Sequence, residues 1–351
     1  MKDTMQAAVY HGPNDIRIEV VPVPQIGQDE ILVKVLNVNI CGTDLRILHG
    51  HHRKYPEGTV RIPGHEMAGK VVKVGEELRK YQIGDHVFVA PNMGDGDSRE
   101  TISGNNNLDP NYRAIGINLD GAFAEYMRVP AEAVRQGNVM HISPDEDPAV
   151  AALIEPLACV VRGQNAVNVH SGDIVVVMGA GPIGVMHMVL AKARGAGRVL
   201  VSEPSEFRRN QALELGADDA VDPINENLSS IVQEISEGRG ANVIIVAAPS
   251  KNAQESALKI TAIGGRINFF GGLPKEDSFI RFDSNIVHYK ELLVTGTTAC
   301  STYDCLQAAD LIRSGQIDLG KLVTKRFPLS EIKQAFTAAE DGTNLRVSLI
   351  P

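Results

Sequence analysis

The chain has few cysteines, no excess of positive charge and no long apolar run, and each shortage removes a class of protein. Only four cysteines occur in 351 residues, Cys41, Cys159, Cys300 and Cys305, and none forms a Cys-x-x-Cys pair. That is no disulfide framework for a chain of this length, so a cysteine here reads as a buried thiol, a catalytic group or a metal ligand. The 34 basic residues are outnumbered by 43 acidic ones, and a net charge of -9 argues against a general nucleic-acid binder, which needs a basic surface. No stretch reaches the roughly 18 apolar residues of a membrane helix. The segment Met1-Lys2-Asp3-Thr4-Met5 lacks the apolar core of a signal peptide, so the expected location is the cytoplasm. Internal repeats and low-complexity tracts are also lacking.

What remains is an ordinary globular profile, 43% hydrophobic and 22% charged, with enough length for about two domains and a substantial core. Residues 31–36, 67–75 and 84–89 are rich in β-branched side chains and bounded by glycine and proline, the pattern of strands. From 91 to 118 the pattern dissolves into Asn, Asp and Gly, a long polar loop of the kind that is functional or mobile. Beyond Pro144 the period changes. Residues 150–166 read as a helix with Glu155-Pro156 near its start. Strands at 173–178, 198–203, 243–246 and 265–271 then alternate with helices such as 183–194. Such alternation predicts an α/β fold, a doubly wound parallel sheet with helices on both faces.

The most specific motif is Gly179-Ala180-Gly181-Pro182-Ile183-Gly184, a G-x-G-x-x-G directly after a strand and opening an apolar helix. The first glycine permits the tight turn, the second lets backbone approach a pyrophosphate, and the third lets helix and strand pack closely. The helix N-terminus, from Pro182 and Ile183 onward, offers free N–H groups to the phosphates. Glu203 ends the next strand, where a carboxylate accepts hydrogen bonds from the ribose hydroxyls and repels a 2′-phosphate. The cofactor expected is therefore NAD, although Arg208 and Arg209 nearby would tolerate the extra phosphate of NADP.

Three other segments carry metal-ligand chemistry: Cys41-Gly42-Thr43-Asp44, Gly64-His65-Glu66 and Glu155-Pro156. Thiolate, imidazole and carboxylate are what Zn²⁺ takes, usually with one position left open for catalysis. Spacing alone leaves two readings open, a shared ion or a core cysteine, a core histidine and a surface acid. Adjacent residues of a regular strand face opposite ways, so His65 and Glu66 can share an ion only at a turn or kink. Cys159, one helical turn past Glu155, is read as a buried thiol.

Taken in order, Cys41-Gly42-Thr43-Asp44, Gly64-His65-Glu66, Gly84-Asp85-His86-Val87, Gly121-Ala122-Phe123-Ala124-Glu125-Tyr126, Glu155-Pro156-Leu157-Ala158 and the glycine turn resemble the zinc-containing medium-chain alcohol dehydrogenases along essentially the whole chain. The sorbitol (L-iditol) dehydrogenase-like branch is most similar, with Glu-Pro in place of a ligand cysteine. The resemblance implies a GroES-like catalytic domain over 1–152, a Rossmann NAD-binding domain over 153–295 and a return to the catalytic domain over 296–351. It implies one catalytic Zn²⁺, with Mn²⁺ an alternative for so carboxylate-rich a set, held by Cys41 and His65, with Glu66 and Glu155 bound directly or through water. Thr43 would relay the substrate proton and Asp44 would orient His65. Ala247, Phe270, Gly271 and Thr298 would line the nicotinamide, and Arg346 would reach the pyrophosphate.

Two departures from that family stand out. The stretch 91–118 has no cysteine, which excludes a four-cysteine structural zinc. Arg46 stands where relatives often carry the next histidine of the proton relay, leaving His49 or water to continue it. The function implied is oxidation of a polyol or sugar alcohol, free or phosphorylated, to a ketose. The basic run at 49–54 is read as a solvated loop or a holder of an anionic group. A threonine-type or simple alcohol dehydrogenase is the alternative among enzymes, and a non-catalytic NAD-binding protein the alternative outside them. A homodimer or homotetramer is expected, with residues 291–296 as the candidate edge strand.

Overall fold

A computed structural model describes residues 2–351, which divide into two compact units. One runs to Ala158 and resumes over Cys300–Arg313 and Asp318–Pro351, and the other spans Cys159–Ala299 with Ser314–Ile317. No helix among the described residues is long and apolar enough to cross a membrane.

The first unit is β-rich. Its strands are β1 (Thr4–Gly12), β2 (Asp15–Pro22), β3 (Ile31–Ile40), β4 (Glu66–Val74), β5 (His86–Val89), β6 (Asn92–Met93), β7 (Arg113–Ala114), β8 (Tyr126–Val129) and β9 (Val139–His141). The second unit follows with β10 (Ile174–Met178), β11 (Arg198–Ser202), β12 (Asp219–Val221), β13 (Ala241–Val246), β14 (Thr261–Phe269) and β15 (Leu293–Gly296). Two strands after it, β16 (Val323–Pro328) and β17 (Arg346–Ile350), belong to the first unit again.

Within the first unit, β1 and β2 form a hairpin, and a larger sheet runs β16-β17-β3-β4-β5-β9 with β8 also on β3. The β3 strand is buried along most of its length, which suits its run of Ile, Leu and Val. The core beneath it includes Leu32, Met67, Phe88 and Phe123, all at most 1% exposed. Phe336 meets Phe123 edge to face at 6.0 Å between ring centres.

Two registers in this sheet position chemistry. Antiparallel pairing of Asn39 with Glu66 sets the end of β3 beside the start of β4. Antiparallel pairing of Val347 with Ile40 sets the start of β17 beside that same end. Residues far apart in the chain, Cys41, His65, Glu66 and Arg346, are thereby delivered to one corner.

The second unit is a six-stranded parallel sheet in the order β12-β11-β10-β13-β14-β15. Its central strands are buried on both faces, as in any doubly wound sheet. The α/β expectation for this unit and a β-rich partner unit is what the fold delivers.

The polar stretch 91–118 differs from the single long loop expected of it. It holds the β6–β7 hairpin, a short helix Arg99–Ile102 and a 3-10 turn Asn106–Leu108. A carboxylate organises it. Asp109 Oδ2 accepts from Ser98 Oγ at 2.5 Å, Thr101 Oγ1 at 2.6 Å and Asp95 N at 3.2 Å, while Oδ1 accepts from Asn111 N at 2.7 Å. Burial alone would raise the Asp109 pKa, but these four donors outweigh it and hold the carboxyl at about 2.

Replacing Asp109 with alanine is expected to lower stability by about 2–3 kcal/mol and to open the lobe to proteolysis. Because the folded pKa is depressed, the stabilisation is complete above about pH 4, the unfolded value, and is lost as pH falls through about 2. Acid unfolding monitored for wild type and Asp109→Asn checks this. An unchanged acid limb in the asparagine variant would contradict the role of the carboxylate.

Candidate functional site

The site begins at the end of β3. Cys41 is the N-cap of the helix Gly42–Leu48, and its Sγ accepts from Thr43 N at 3.4 Å. Asp44 closes the box, its Oδ2 accepting from Cys41 N at 2.9 Å. The other oxygen, Oδ1, lies 3.4 Å from His65 Nδ1 as an ion-pair contact without a hydrogen bond, so one buried carboxylate caps the thiol's backbone and sits beside the imidazole.

His65 and Glu66 reach the same place because the chain kinks before β4. Gly64 adopts φ +95°, and a Cβ there would come within 2.6 Å of the Phe123 ring. The kink removes the objection that neighbours on a strand must face opposite ways. One donor atom from each of Cys41, His65 and Glu66 lies within 4.8 Å of the others.

Electrostatics show what this corner is built to hold. Burial pushes the Cys41 thiol up, yet the His65 hydrogen bond and charge and the Arg346 charge bring it down to about 7. Burial lowers the His65 pKa, but Asp44 and Cys41 raise it well above the usual range. Burial drives the Glu66 carboxyl well above the usual carboxylate range. Glu66 is 0% exposed, and neither of its oxygens accepts a hydrogen bond; Arg346 Nη2 approaches Oε1 to 3.1 Å as an ion pair. A buried carboxylate without hydrogen bonds costs several kcal/mol, and the Arg346 charge offsets that only in part, since the carboxyl still stays well above its usual range. Thiolate, imidazole and carboxylate at mutual contact distance are a fitting donor set for a divalent ion, which would displace the protons these groups otherwise keep.

Two expected partners are placed differently. Glu155 is buried in the helix Ile154–Ala166 but stands outside the three mutually close donors, and Cys300 Sγ is 3.8 Å from its Oε1. Burial raises its pKa too. Arg346, expected at the pyrophosphate, is 4% exposed and lies against Glu66 and the Ile40 carbonyl, the latter 3.2 Å from Nη1, while its Nε has no partner. The register of β17 on β3 carries the guanidinium to a buried negative charge. No short-range pattern announces a contact between residues so distant in the chain.

Thr43 Oγ1 accepts from Arg46 Nη2 at 3.0 Å. The other candidate for the relay, His49, is engaged elsewhere, with Nδ1 2.9 Å from Asn14 Oδ1 and Nε2 bonded to Glu340.

In the second unit every expected cofactor residue follows a strand of the parallel sheet. Gly179 follows β10, Glu203 follows β11, Ala247 follows β13, Phe270 and Gly271 follow β14, and Thr298 lies just past β15. The carboxyl ends of such strands are where a doubly wound sheet binds its ligand. The helix Pro182–Ala193 opens at Gly181, and Arg208 sits in the first turn of the helix Glu206–Glu214. Glu203 is 7% exposed, its Oε2 accepting from Ala180 N at 2.8 Å and its Oε1 from Ser205 N at 3.0 Å. It thus ties the glycine turn to the next strand. Arg209 donates to the Glu203 and Pro204 carbonyls, at 2.8 and 2.7 Å.

The glycines divide the labour as the motif requires. A Cβ on Gly184 would meet the Gly179 carbonyl at 1.8 Å, whereas one on Gly181 would have no atom within 4 Å. The space over Gly181 is the cradle a pyrophosphate would fill.

Comparison with known proteins follows the same division. Residues 27–140 match the alcohol dehydrogenase GroES-like domain and residues 182–314 the zinc-binding dehydrogenase domain. An L-threonine 3-dehydrogenase of Thermococcus kodakarensis is 33% identical, covering 100% of this chain and 99% of its own. Another from Bacillus subtilis is 32% identical over 94% of each. Among solved structures, a protein described as a zinc-binding dehydrogenase of Sinorhizobium meliloti, bound to NADP, superposes with a TM-score of 0.91 at 30% identity, covering 100% of both chains. These relatives overturn the expectation of a polyol or sugar-alcohol substrate, since the high-coverage curated ones are named threonine dehydrogenases.

Gly184→Ala is expected to destabilise the fold by about 1–3 kcal/mol, because backbone must move. Gly181→Ala is expected to leave stability within about 0.5 kcal/mol of wild type while raising the KM for the dinucleotide. Thermal melts with dinucleotide titrations check the pair. Equal loss of stability in both would contradict the assignment of Gly181 to the ligand.

Proposed function

The chain belongs to the zinc-binding medium-chain alcohol dehydrogenases, and on that premise we propose that it oxidises the secondary hydroxyl of a β-hydroxy amino acid of the L-threonine type to the ketone, with NAD as acceptor. The observation that carries the reading is the largely buried Cys41–His65–Glu66 donor set next to the Thr43 hydroxyl, in a chain whose full-length curated relatives include L-threonine 3-dehydrogenases.

A zinc ion held by Cys41, His65 and Glu66 would supply Lewis acidity that lowers the pKa of the alcohol. NAD supplies the hydride acceptor. The chain's own residues handle the proton and the orientation. Arg46 fills one acceptor position of Thr43 Oγ1, so the remaining lone pair takes the substrate proton while the hydroxyl passes its own onward. Arg46 has no lone pair to receive it and His49 is bonded to Asn14 and Glu340, which leaves water as the exit. Asp44 holds the imidazole in place. Glu155, buried but not one of the three mutually close donors, would bear on the metal directly or through water.

Glu203 supports NAD over NADP. Its carboxylate stands where a 2′-phosphate would have to sit, and Arg209 is spent on carbonyls of the same turn. The assembly is proposed as a homodimer or homotetramer through β15, the free edge of its sheet, where Leu293 is 48% exposed.

Initial-rate assays with L-threonine are expected to show NAD reduction, with kcat/KM for NAD at least about tenfold above NADP. Thr43→Ala is expected to lower kcat by about 10²-fold or more. Absence of threonine oxidation alongside turnover of unrelated secondary alcohols would contradict the substrate, and a preference for NADP would contradict the part given to Glu203.

A further inference from the structure

Arg46 occupies a position from which a proton relay is chemically barred. A guanidinium stays protonated at any physiological pH and has no acceptor atom, so it cannot take a proton from Thr43. It nevertheless lies against that hydroxyl, with Nη2 3.0 Å from Thr43 Oγ1. Arg17, Arg113, Arg128, Arg135, Arg198 and Arg326 each have a carboxylate partner. Arg46 has none within 4.0 Å among the described residues, and its side chain is exposed. An unneutralised cation with donors to spare therefore stands one hydroxyl away from the reacting oxygen.

Its surroundings do not supply the missing anion. His52 is half-buried and donates nothing negative, and burial first, then the Arg46 charge, lowers its pKa to about 4. Arg53 and Lys54 follow in the chain. The nearby carboxylate of Asp44 is buried and turned to Cys41 N and His65, so the natural complement of Arg46 is a ligand carboxylate, which a guanidinium fork matches with two parallel hydrogen bonds.

We propose that Arg46 is a specificity-determining residue that binds the carboxylate of the substrate, so that the enzyme selects alcohols carrying a carboxylate close to the hydroxyl that meets Thr43. The inference rests on the reading of the site as an alcohol-oxidising centre and names what its substrate must carry. One bond from Arg46 fixes Thr43, and the remaining N–H groups hold the carboxylate. The same side chain thereby aligns the acceptor of the proton and the molecule that gives it.

The test uses two pairs of alcohols that differ only in the carboxylate: L-threonine with 1-amino-2-propanol, and 3-hydroxybutyrate with 2-propanol. The readout is the ratio of kcat/KM within each pair for wild type, Arg46→Gln and Arg46→Lys. Any misalignment of Thr43 affects both members and cancels in the ratio. Arg46→Gln is expected to reduce the ratio by about 10- to 100-fold, chiefly through KM, the size of a lost charge-assisted hydrogen bond. Arg46→Lys is expected to keep part of it. A ratio unchanged in Arg46→Gln overturns the proposal, as does a wild type that oxidises the carboxylate-free alcohols and neither carboxylate. Turnover of the second pair with both amines inert overturns the amino-acid reading while the ratio still tests Arg46. No turnover of any of the four overturns both.

Discussion

The buried carboxylate of Glu66 sets the terms for the first unit. It is fully enclosed, accepts no hydrogen bond and lies beside a thiol and an imidazole. Left alone it would take up a proton, and the corner would be an expensive collection of polar groups in an apolar sheet. A divalent cation reverses that balance, because each donor is then wanted in its deprotonated form. Arg346 completes the compensation from the opposite side, so the set carries less net negative charge than its ligands alone suggest. The surrounding architecture serves this corner: the register of β4 on β3, the register of β17 on β3 and the kink at Gly64.

The second unit depends on a different constraint, close approach of backbone. Gly184 has no room for a side chain because the helix it opens packs onto the turn, and Gly181 has room that the protein itself does not use. Glu203 links this turn to the neighbouring strand through Ala180 N, so the residue proposed to discriminate the ribose also holds the glycine turn in shape. A parallel sheet concentrates such functions by construction, since every strand ends on the same edge.

These two constraints explain what could be read from the sequence. The dinucleotide turn is local: strand, glycines, helix and acid lie within one βαβ unit, and periodicity with glycine spacing suffices to find it. The metal corner is assembled by strand pairing between distant segments. Cys41, His65 and Glu66 were recognisable as donors, but only family resemblance joined them, and spacing could not place Glu155 outside their contact distance. The contact of Arg346 with Glu66 is likewise invisible to spacing, because it is set by the β17 register. Asp109 was invisible within a run of Asn, Asp and Ser because its role depends on which donors fold around it. Arg46 was noticed as a departure, yet only its contact with Thr43 shows where its charge is aimed. The substrate was the least legible of all. Motifs describe how hydride and proton are moved, and the groups that recognise the rest of the alcohol carry no motif.

The central claim is that Cys41, His65 and Glu66 hold one divalent ion in a mixed sulfur, nitrogen and oxygen shell, with no second zinc in the 91–118 lobe. Zinc K-edge X-ray absorption on the metal-loaded protein tests this most directly. The account predicts one zinc per chain with a single sulfur neighbour at about 2.3 Å and nitrogen or oxygen neighbours at about 2.0–2.2 Å. A shell without sulfur, or one dominated by several sulfurs, would contradict it.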